Sequence, residues 1–499
     1  MKAVRGGFRA AVLMGAAASV LAFAGGAKAQ NQNFRVNPFQ QEDSWLFGNP
    51  SPSDNPWPYA TTANSPVLAV VGDIACQPGG EVETTTSGTT TTVTVLEPAG
   101  EAKSEFCFDP KSPYTATSLW QSQEATANQI EAMKPDAVAI VGDLQYQVGQ
   151  YSDFEQSYDL TYGAFKFITR PSPGNHEFYD EHSETGVAGY GYFSYFNGFQ
   201  INTANAPITS SNTTTGTPAM PIMTTVPDPC PPALAAACNY PGLTTPIAQP
   251  IPRPDGQAGH FELGANGGLN GTGVGDGWYS YNLGGWHLIS LNIECSTQPG
   301  GCSDTGTWFG AELAWLKRDL EENHAQCTAA YWHQPTFSAT NSITPEGTAA
   351  QAFWQLLYDY NADLVLNGHD HLYARYRPLN ASGSYDPRRG IREFIVGTGG
   401  ETLDPIVITP VTSGSGETNL EDPTGNVNFN EQNLQAYTGD YWGVMALTLN
   451  PNGYAWDYES ALAGPATLAN GPTLPAPATT GGYSDKGFGI CHGGYHWGW

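Results

Sequence analysis

Short unbroken apolar blocks punctuate this chain, and stretches with helical spacing lie between them. Pro66–Val71, Ala137–Val141, Thr328–Trp332 and Asp363–Leu366 are blocks of strand length. They are too continuous for a strand with one wet face, so they predict strands buried on both sides. Thr115–Met133 carries Leu119, Ala127, Ile130 and Met133 at helical spacing and stops before Pro135, which predicts a helix. Trp308–Glu322 and Ala349–Tyr360 read the same way, each followed by one of the apolar blocks. Such alternation belongs to the α/β class, with helices covering a sheet. Trp278–Leu283 and Trp286–Asn292 predict a hairpin turned at Gly284-Gly285, and Tyr441–Leu449 with Tyr454–Glu459 predict a second strand pair.

Polar excursions interrupt this core. A single domain is expected over residues 66–460, with insertions at about 81–106, 201–260 and 405–436. The first, rich in Thr and Val, predicts a surface hairpin; the second, dominated by Thr, Pro, Asn and Ala, predicts an irregular cover beside the cleft. Residues 30–65 read as an extended leader and residues 461–499 as a Gly/Pro/aromatic tail. Ahead of the leader, Lys2, Arg5 and Arg9 precede an apolar stretch from Ala10 to Ala24 and a small-x-small site at Ala27-Lys28-Ala29. Residues 1–29 therefore read as a signal peptide cleaved near Ala29, giving a secreted or periplasmic protein. No twin arginine is present, which favours the general secretory route. No later apolar run reaches the roughly 18 residues of a membrane span.

Charge and cysteine usage narrow the picture. Asp plus Glu total 47 against 19 for Lys plus Arg, a formal net charge of −28. An anionic surface of this kind excludes nucleic acid as the main partner. Eight cysteines without a Cys-x-x-Cys pair point to disulfides. Cys295 with Cys302 and Cys230 with Cys238 close short loops, and Cys76 with Cys107 would staple the Thr-rich excursion. The partners of Cys327 and Cys491 stay open, as does the oligomeric state.

Candidate chemistry gathers where the apolar blocks end. Gly72-Asp73, Gly142-Asp143-Leu144-Gln145-Tyr146, Gly174-Asn175-His176-Glu177, Tyr331-Trp332-His333 and Gly368-His369-Asp370-His371 supply carboxylates, imidazoles, a phenol and an amide. Ligands in open α/β sheets collect at the carboxyl ends of strands, where these motifs fall. A lone Gly-Asp is usually only a turn, and a lone His333 is as well read as a core histidine. Their ordered succession reads as a site for two adjacent metal ions, a device for attacking phosphate esters. His287 reads as a satisfied interior residue, His324 as a helix end, and His182, His260, His492 and His496 as loop or tail residues.

With these motifs the chain resembles the calcineurin-like metallophosphoesterases, and within them the purple acid phosphatases. The resemblance covers roughly residues 66–449 and is specific as an ordered set. Tyr146 marks the subfamily, because most relatives place a histidine where this chain has Ala75. It implies a four-layer αββα sandwich, two mixed sheets flanked by helices. It also implies one metal on Asp73, Asp143, Tyr146 and His371 and another on Asp143, Asn175, His333 and His369, with Asp143 bridging. A tyrosinate suits Fe(III), and imidazole with amide oxygen suits a divalent Zn, Mn or Fe. His176 corresponds to the family histidine that contacts phosphate and helps to protonate the leaving group. Gln334 stands where similar bacterial sequences carry a second histidine; it can donate to phosphate but cannot shuttle a proton.

The expected reaction is hydrolysis of a phosphate monoester by metal-hydroxide attack on phosphorus. A phosphodiesterase or nucleotidase on the same core is the nearest rival. An exported binding protein without catalysis ranks below both, since every expected ligand position is filled.

Overall fold

The computed structural model describes residues 65–78, 81–87, 90–96, 107–109, 112–116, 118–179, 189–197, 257–259, 277–298, 300–303, 307–338, 344–404, 409–412, 418–421, 433–461 and 482–494. The expected signal peptide, the leader up to residue 64, nearly all of the 201–260 insertion, and Cys230 with Cys238 lie outside them.

Two mixed sheets carry the architecture. The thirteen strands are β1 (Val67–Val71), β2 (Ala137–Val141), β3 (Thr169–Ser172), β4 (Tyr279–Leu283), β5 (Trp286–Ser290), β6 (Cys327–Tyr331), β7 (Leu364–Asn367), β8 (Tyr373–Tyr376), β9 (Arg392–Val396), β10 (Leu434–Thr438), β11 (Gly443–Asn450), β12 (Gly453–Ser460) and β13 (Ser484–Ile490). The first sheet runs β13-β12-β11-β1-β2-β3 and the second β10-β8-β9-β7-β6-β5-β4. β1, β2 and β3 are mutually parallel, while β11, β12 and β13 run antiparallel beside them. In the second sheet β5, β6, β7 and β9 are parallel and the outer strands antiparallel.

The apolar blocks behave as their continuity requires. Side chains of alternate residues point to opposite faces. Leu68 and Val70 join Leu288, Ala329, Leu364 and Phe394 between the sheets. Ala69 and Val71 instead face α1 (Ser118–Met133) and α2 (Tyr190–Asn197), through residues such as Ile130 and Phe193. Ala330, Val365 and Ile395 face α3 (Trp308–Glu322) and α4 (Pro345–Asp359), through Leu316 and Trp354. These three apolar layers make the expected αββα sandwich. Thr307 and Thr344 cap α3 and α4 by accepting the Gly310 and Gly347 amides.

Some elements differ from the sequence reading. α4 begins at Pro345 rather than Ala349, because proline suits the first helical position. α1 begins at Ser118, and the preceding Ser112–Ala116 pairs as a strand with Phe108–Asp109. The Thr-rich segment is a hairpin, Glu81–Ser87 with Thr90–Leu96. The 405–436 excursion ends before Leu434, where β10 joins the second sheet. The tail contributes β13, whose Gly487 and Gly489 erase any alternation; the Trp456 and Tyr454 rings of β12 lie over these glycines and fill the missing side-chain volume.

Disulfides join Cys76 to Cys107, Cys295 to Cys302, and Cys327 to Cys491. The last ties the end of β13 to central strand β6 across 164 residues of sequence. Among the described residues no helix is long and apolar enough to cross a membrane.

Candidate metal centre

Each motif follows the carboxyl end of a parallel strand, or of a strand beside one, so the two sheets deliver their loops to a common edge. Asp73 follows β1, Asp143 and Tyr146 follow β2, and Asn175 and His176 follow β3. His333 follows β6, and His369 and His371 follow β7. Asp73, Asp143 and His369 hold left-handed backbone angles, φ 59°, 46° and 69°. Non-glycine residues seldom adopt that conformation, and it concentrates at functional sites. Gly174 is needed for a different reason: a Cβ there would run into the Asp143 carboxylate and amide.

The seven predicted ligands converge around Asp143. On one side the Tyr146 hydroxyl lies 3.1 Å from Asp73 Oδ1, 3.1 Å from Asp143 Oδ2 and 3.0 Å from His371 Nε2. On the other, His333 Nε2 lies 3.0 Å from Asp143 Oδ2 and 3.1 Å from Asn175 Oδ1. His369 Nδ1 is 3.2 Å from Asn175 Oδ1 and 3.3 Å from His333 Nε2. Two clusters result, Asp73–Asp143–His371 and Asp143–His333–His369, sharing one carboxylate.

The donor and acceptor count fits cations. His333 Nδ1 sits 3.0 Å from the Val141 carbonyl and His371 Nδ1 sits 2.7 Å from the Thr402 carbonyl. With those N–H groups donated, neutral rings turn Nε2 lone pairs toward carboxylates and the phenol oxygen. The Asn175 amide nitrogen donates to the Tyr179 hydroxyl at 2.7 Å, which leaves Oδ1 facing inward. Acceptors packed this closely and buried repel one another unless positive charge lies among them.

Protonation preferences carry the same message. Burial opposes charge on His333, but Asp143, Asp73 and Glu294 outweigh it and push the imidazole up to about 10. Burial likewise opposes charge on His371, and Asp73, Asp404 and Glu401 push it up to about 10. Burial and the neighbouring His333 charge drop His369 to about 3. Burial, together with Asp143, Asp73 and Glu401, pushes the Tyr146 phenol well above its ordinary value. A phenolate there requires a strong local cation.

His176 lies beside the centre. Its backbone amide donates to Asp143 Oδ1 at 3.0 Å, Nδ1 is 2.6 Å from the Gln147 carbonyl, and Nε2 is 3.9 Å from Asp143 Oδ2. Gln334 is 2% exposed and neighbours the buried Glu294 carboxyl. His287 is a satisfied interior residue, 2.6 Å from Asp319 Oδ2 and 3.1 Å from Asn282 Oδ1. His492 packs against Asp363 at 3.2 Å.

Two residues without a role in the sequence reading organise the site. Buried Glu177 accepts the amides of Gly174, Leu144 and Gln145 at 2.8, 2.9 and 3.1 Å, fastening the Asp143 loop to the Asn175 loop. Three residues after Gly174, its carboxylate bonds back to that amide as the glutamate of a capping box does. Tyr179 orients Asn175, and nothing in the local pattern announces it.

No protein-family model matches the chain. It is 30% identical over 174 residues to an uncharacterized protein of Mycobacterium tuberculosis, covering 32% of this chain and 31% of that protein. It is 31% identical over 102 residues to purple acid phosphatase 15 of Arabidopsis thaliana, covering 20% of this chain and 18% of the relative. The chain thus spans about a third or less of the length of these curated relatives. Among solved structures, a purple acid phosphatase from yellow lupin (Lupinus luteus) seeds aligns with TM-score 0.40 and 13% identity, covering 81% of this chain and 53% of the other. A dimetal phosphatase from Danio rerio aligns with TM-score 0.37 and 10% identity, covering 80% and 98%.

Proposed function

We propose that this chain, a distant homologue of the purple acid phosphatases, is an exported hydrolase of phosphate monoesters that works with two bound metal ions. The observation that carries the reading is the gathering of six side chains around the Asp143 carboxylate, in two clusters that share it. Asp73, Tyr146 and His371 would hold one ion, Asn175, His333 and His369 the other, with Asp143 shared. A phenolate oxygen among carboxylates suits Fe(III), and two imidazoles with an amide oxygen suit Zn, Mn or Fe in the divalent state. Bound cations of this kind supply Lewis-acid polarisation of the phosphoryl group and acidify water.

The protein's own residues do the rest. Hydrogen bonds to the Val141 and Thr402 carbonyls and to the Tyr179 hydroxyl fix the orientation of His333, His371 and Asn175, as the neighbours of metal ligands generally do. His176 is held by its Nδ1 bond to Gln147, which presents Nε2 toward the centre. From there Nε2 would bond a phosphoryl oxygen and give a proton to the departing alkoxide. The signal-like N-terminus and three disulfides support an oxidising compartment, secreted or periplasmic.

Metal analysis of the purified protein, paired with turnover of p-nitrophenyl phosphate and of its bis-ester, tests the reading. Two metals per chain and preference for the monoester are expected, with Asp143→Asn abolishing both metal binding and turnover. Undiminished turnover in that variant, or faster cleavage of the diester, sinks the monoesterase assignment.

A further inference from the structure

Fractional exposure rises steadily along one path out of the buried centre. The Asp143 side chain is 2% exposed and that of His176 16%. Tyr179, next along this path, is 40% exposed, and few large hydrophobic side chains among the described residues are that open. The His176 ring packs between the Tyr146 ring, 4.2 Å away between centroids, and the Tyr179 ring at 4.8 Å. Tyr179 also accepts the Asn175 amide at 2.7 Å, which pins its ring at the rim rather than leaving it to swing into solvent. A fixed aromatic face therefore stands beside the group that reaches the phosphate, on the solvent side.

We propose that Tyr179 is the specificity residue for the organic arm of the substrate and selects phosphate monoesters with an aromatic leaving group, an aryl or a nucleobase-bearing alcohol. The inference rests on the phosphatase reading above. A phosphoryl group at the centre sends its ester arm outward, because Asp73, Asp143 and His333 are buried, and the outward sides are those of His176 and His371, 16% and 20% exposed. Leaving past His176, the arm meets the exposed part of the Tyr179 ring. Offset or edge contacts between aromatic rings contribute about 0.5–1.5 kcal/mol beyond area burial, a preference of roughly 2- to 12-fold. Orientation adds to this, since the Tyr179 hydroxyl is occupied by Asn175 and its ring cannot turn away without freeing that amide.

The test compares benzyl phosphate with cyclohexylmethyl phosphate, which match in size and closely in leaving-group basicity but differ in aromaticity. The quantity read is the ratio of their kcat/KM values in metal-loaded protein, with metal content measured for every variant. Wild type is expected to favour the benzyl ester by several-fold. Tyr179→Leu should bring the ratio to about one. Tyr179→Trp should keep or raise it, and Tyr179→Phe should keep it while loosening metal binding through the freed Asn175 amide. An unchanged ratio in Tyr179→Leu, or no aromatic preference in wild type, overturns the role of Tyr179 while leaving the phosphatase reading intact. Failure of metal-loaded wild type to hydrolyse either ester or p-nitrophenyl phosphate overturns that reading and the inference together.

Discussion

His333 bonds the carbonyl of Val141 at 3.0 Å, joining the loop after β6 of the second sheet to the last residue of β2 in the first. The candidate metal centre thus lies across the seam of the sandwich. Its geometry depends on how closely the two sheets approach at that edge, as well as on the ligands themselves.

Gly142 sets that approach. Its φ is +91°, and a Cβ at this position would overlap the His333 ring. Gly142→Ala should therefore displace the imidazole from Asp143 even though no ligand is altered. Misplacement of a reacting group by about 1 Å can cost roughly 100-fold in rate. The expected outcome is a folded protein with reduced metal content and turnover lowered by about that factor, measured by metal analysis and p-nitrophenyl phosphate hydrolysis. Full activity in the alanine variant would show that the seam has slack.

Tyr146 supplies the second prediction. Burial and three surrounding carboxylates favour the neutral phenol, so only a strongly acidic cation would hold it as phenolate. If that cation is ferric iron, the loaded protein absorbs in the visible range through phenolate-to-iron charge transfer. Tyr146→Phe should lose the band and bind less iron while keeping the divalent ion at His333 and His369. An active wild-type protein that is colourless and iron-free would remove the ferric assignment.

The reach of sequence reading follows from what sets each feature. The candidate ligand positions were legible because each sits at the end of an apolar block, and a strand end is a local signal. Strands Thr169–Ser172 and Leu434–Thr438 were not legible, since they lie at sheet edges and owe their form to neighbours. Pro171 in the former is tolerated because an edge strand has one unpaired side. β13 escaped notice because its two glycines borrow aromatic cover from β12. The pairing of Cys327 with Cys491 spans 164 residues, a distance over which spacing carries no information. Gln334 was legible as the residue after His333, but its neighbour, the buried Glu294 carboxyl, is brought near by tertiary packing alone.

Glu393 gives a prediction about pH. It is fully buried on the outer face of the second sheet, where Ile391 and Ile395 also point. Burial above all, with the Asp370 carboxylate adding to it, pushes its pKa well above the ordinary value of 4.5. The native state then holds a proton that the unfolded chain releases above that value. Stability from this group is complete below pH 4.5 and is lost as pH rises beyond it. Glu393→Gln keeps the shape without the charge, so it should flatten the fall in melting temperature between pH 5 and pH 8. An equally steep fall in the variant would assign the pH dependence to other groups.

The opposite sign is expected for Asp485. Arg375 of β8 grips Asp485 of β13 through two bonds, Nε to Oδ2 at 2.7 Å and Nη2 to Oδ1 at 3.1 Å. Tyr373 and Trp456 donate to the same carboxylate at 2.7 and 3.1 Å. Burial alone would raise the Asp485 pKa, but Arg375 and these donors hold it below the ordinary carboxylate value. The group's stabilisation is therefore present above about pH 3.8 and disappears as pH falls through the native-state value. Breaking one partner of a buried pair costs on the order of 3–5 kcal/mol, because the remaining charge is stranded. Asp485→Asn should lower unfolding stability by about that amount at pH 7, the low end being favoured by the residual exposure of the pair. The gap between variant and wild type should close as urea titrations are repeated toward pH 3. A gap that stays constant with pH would mean that Asp485 acts by packing alone, with β13 held to the second sheet by Tyr373 and the Cys327–Cys491 bond instead of by charge.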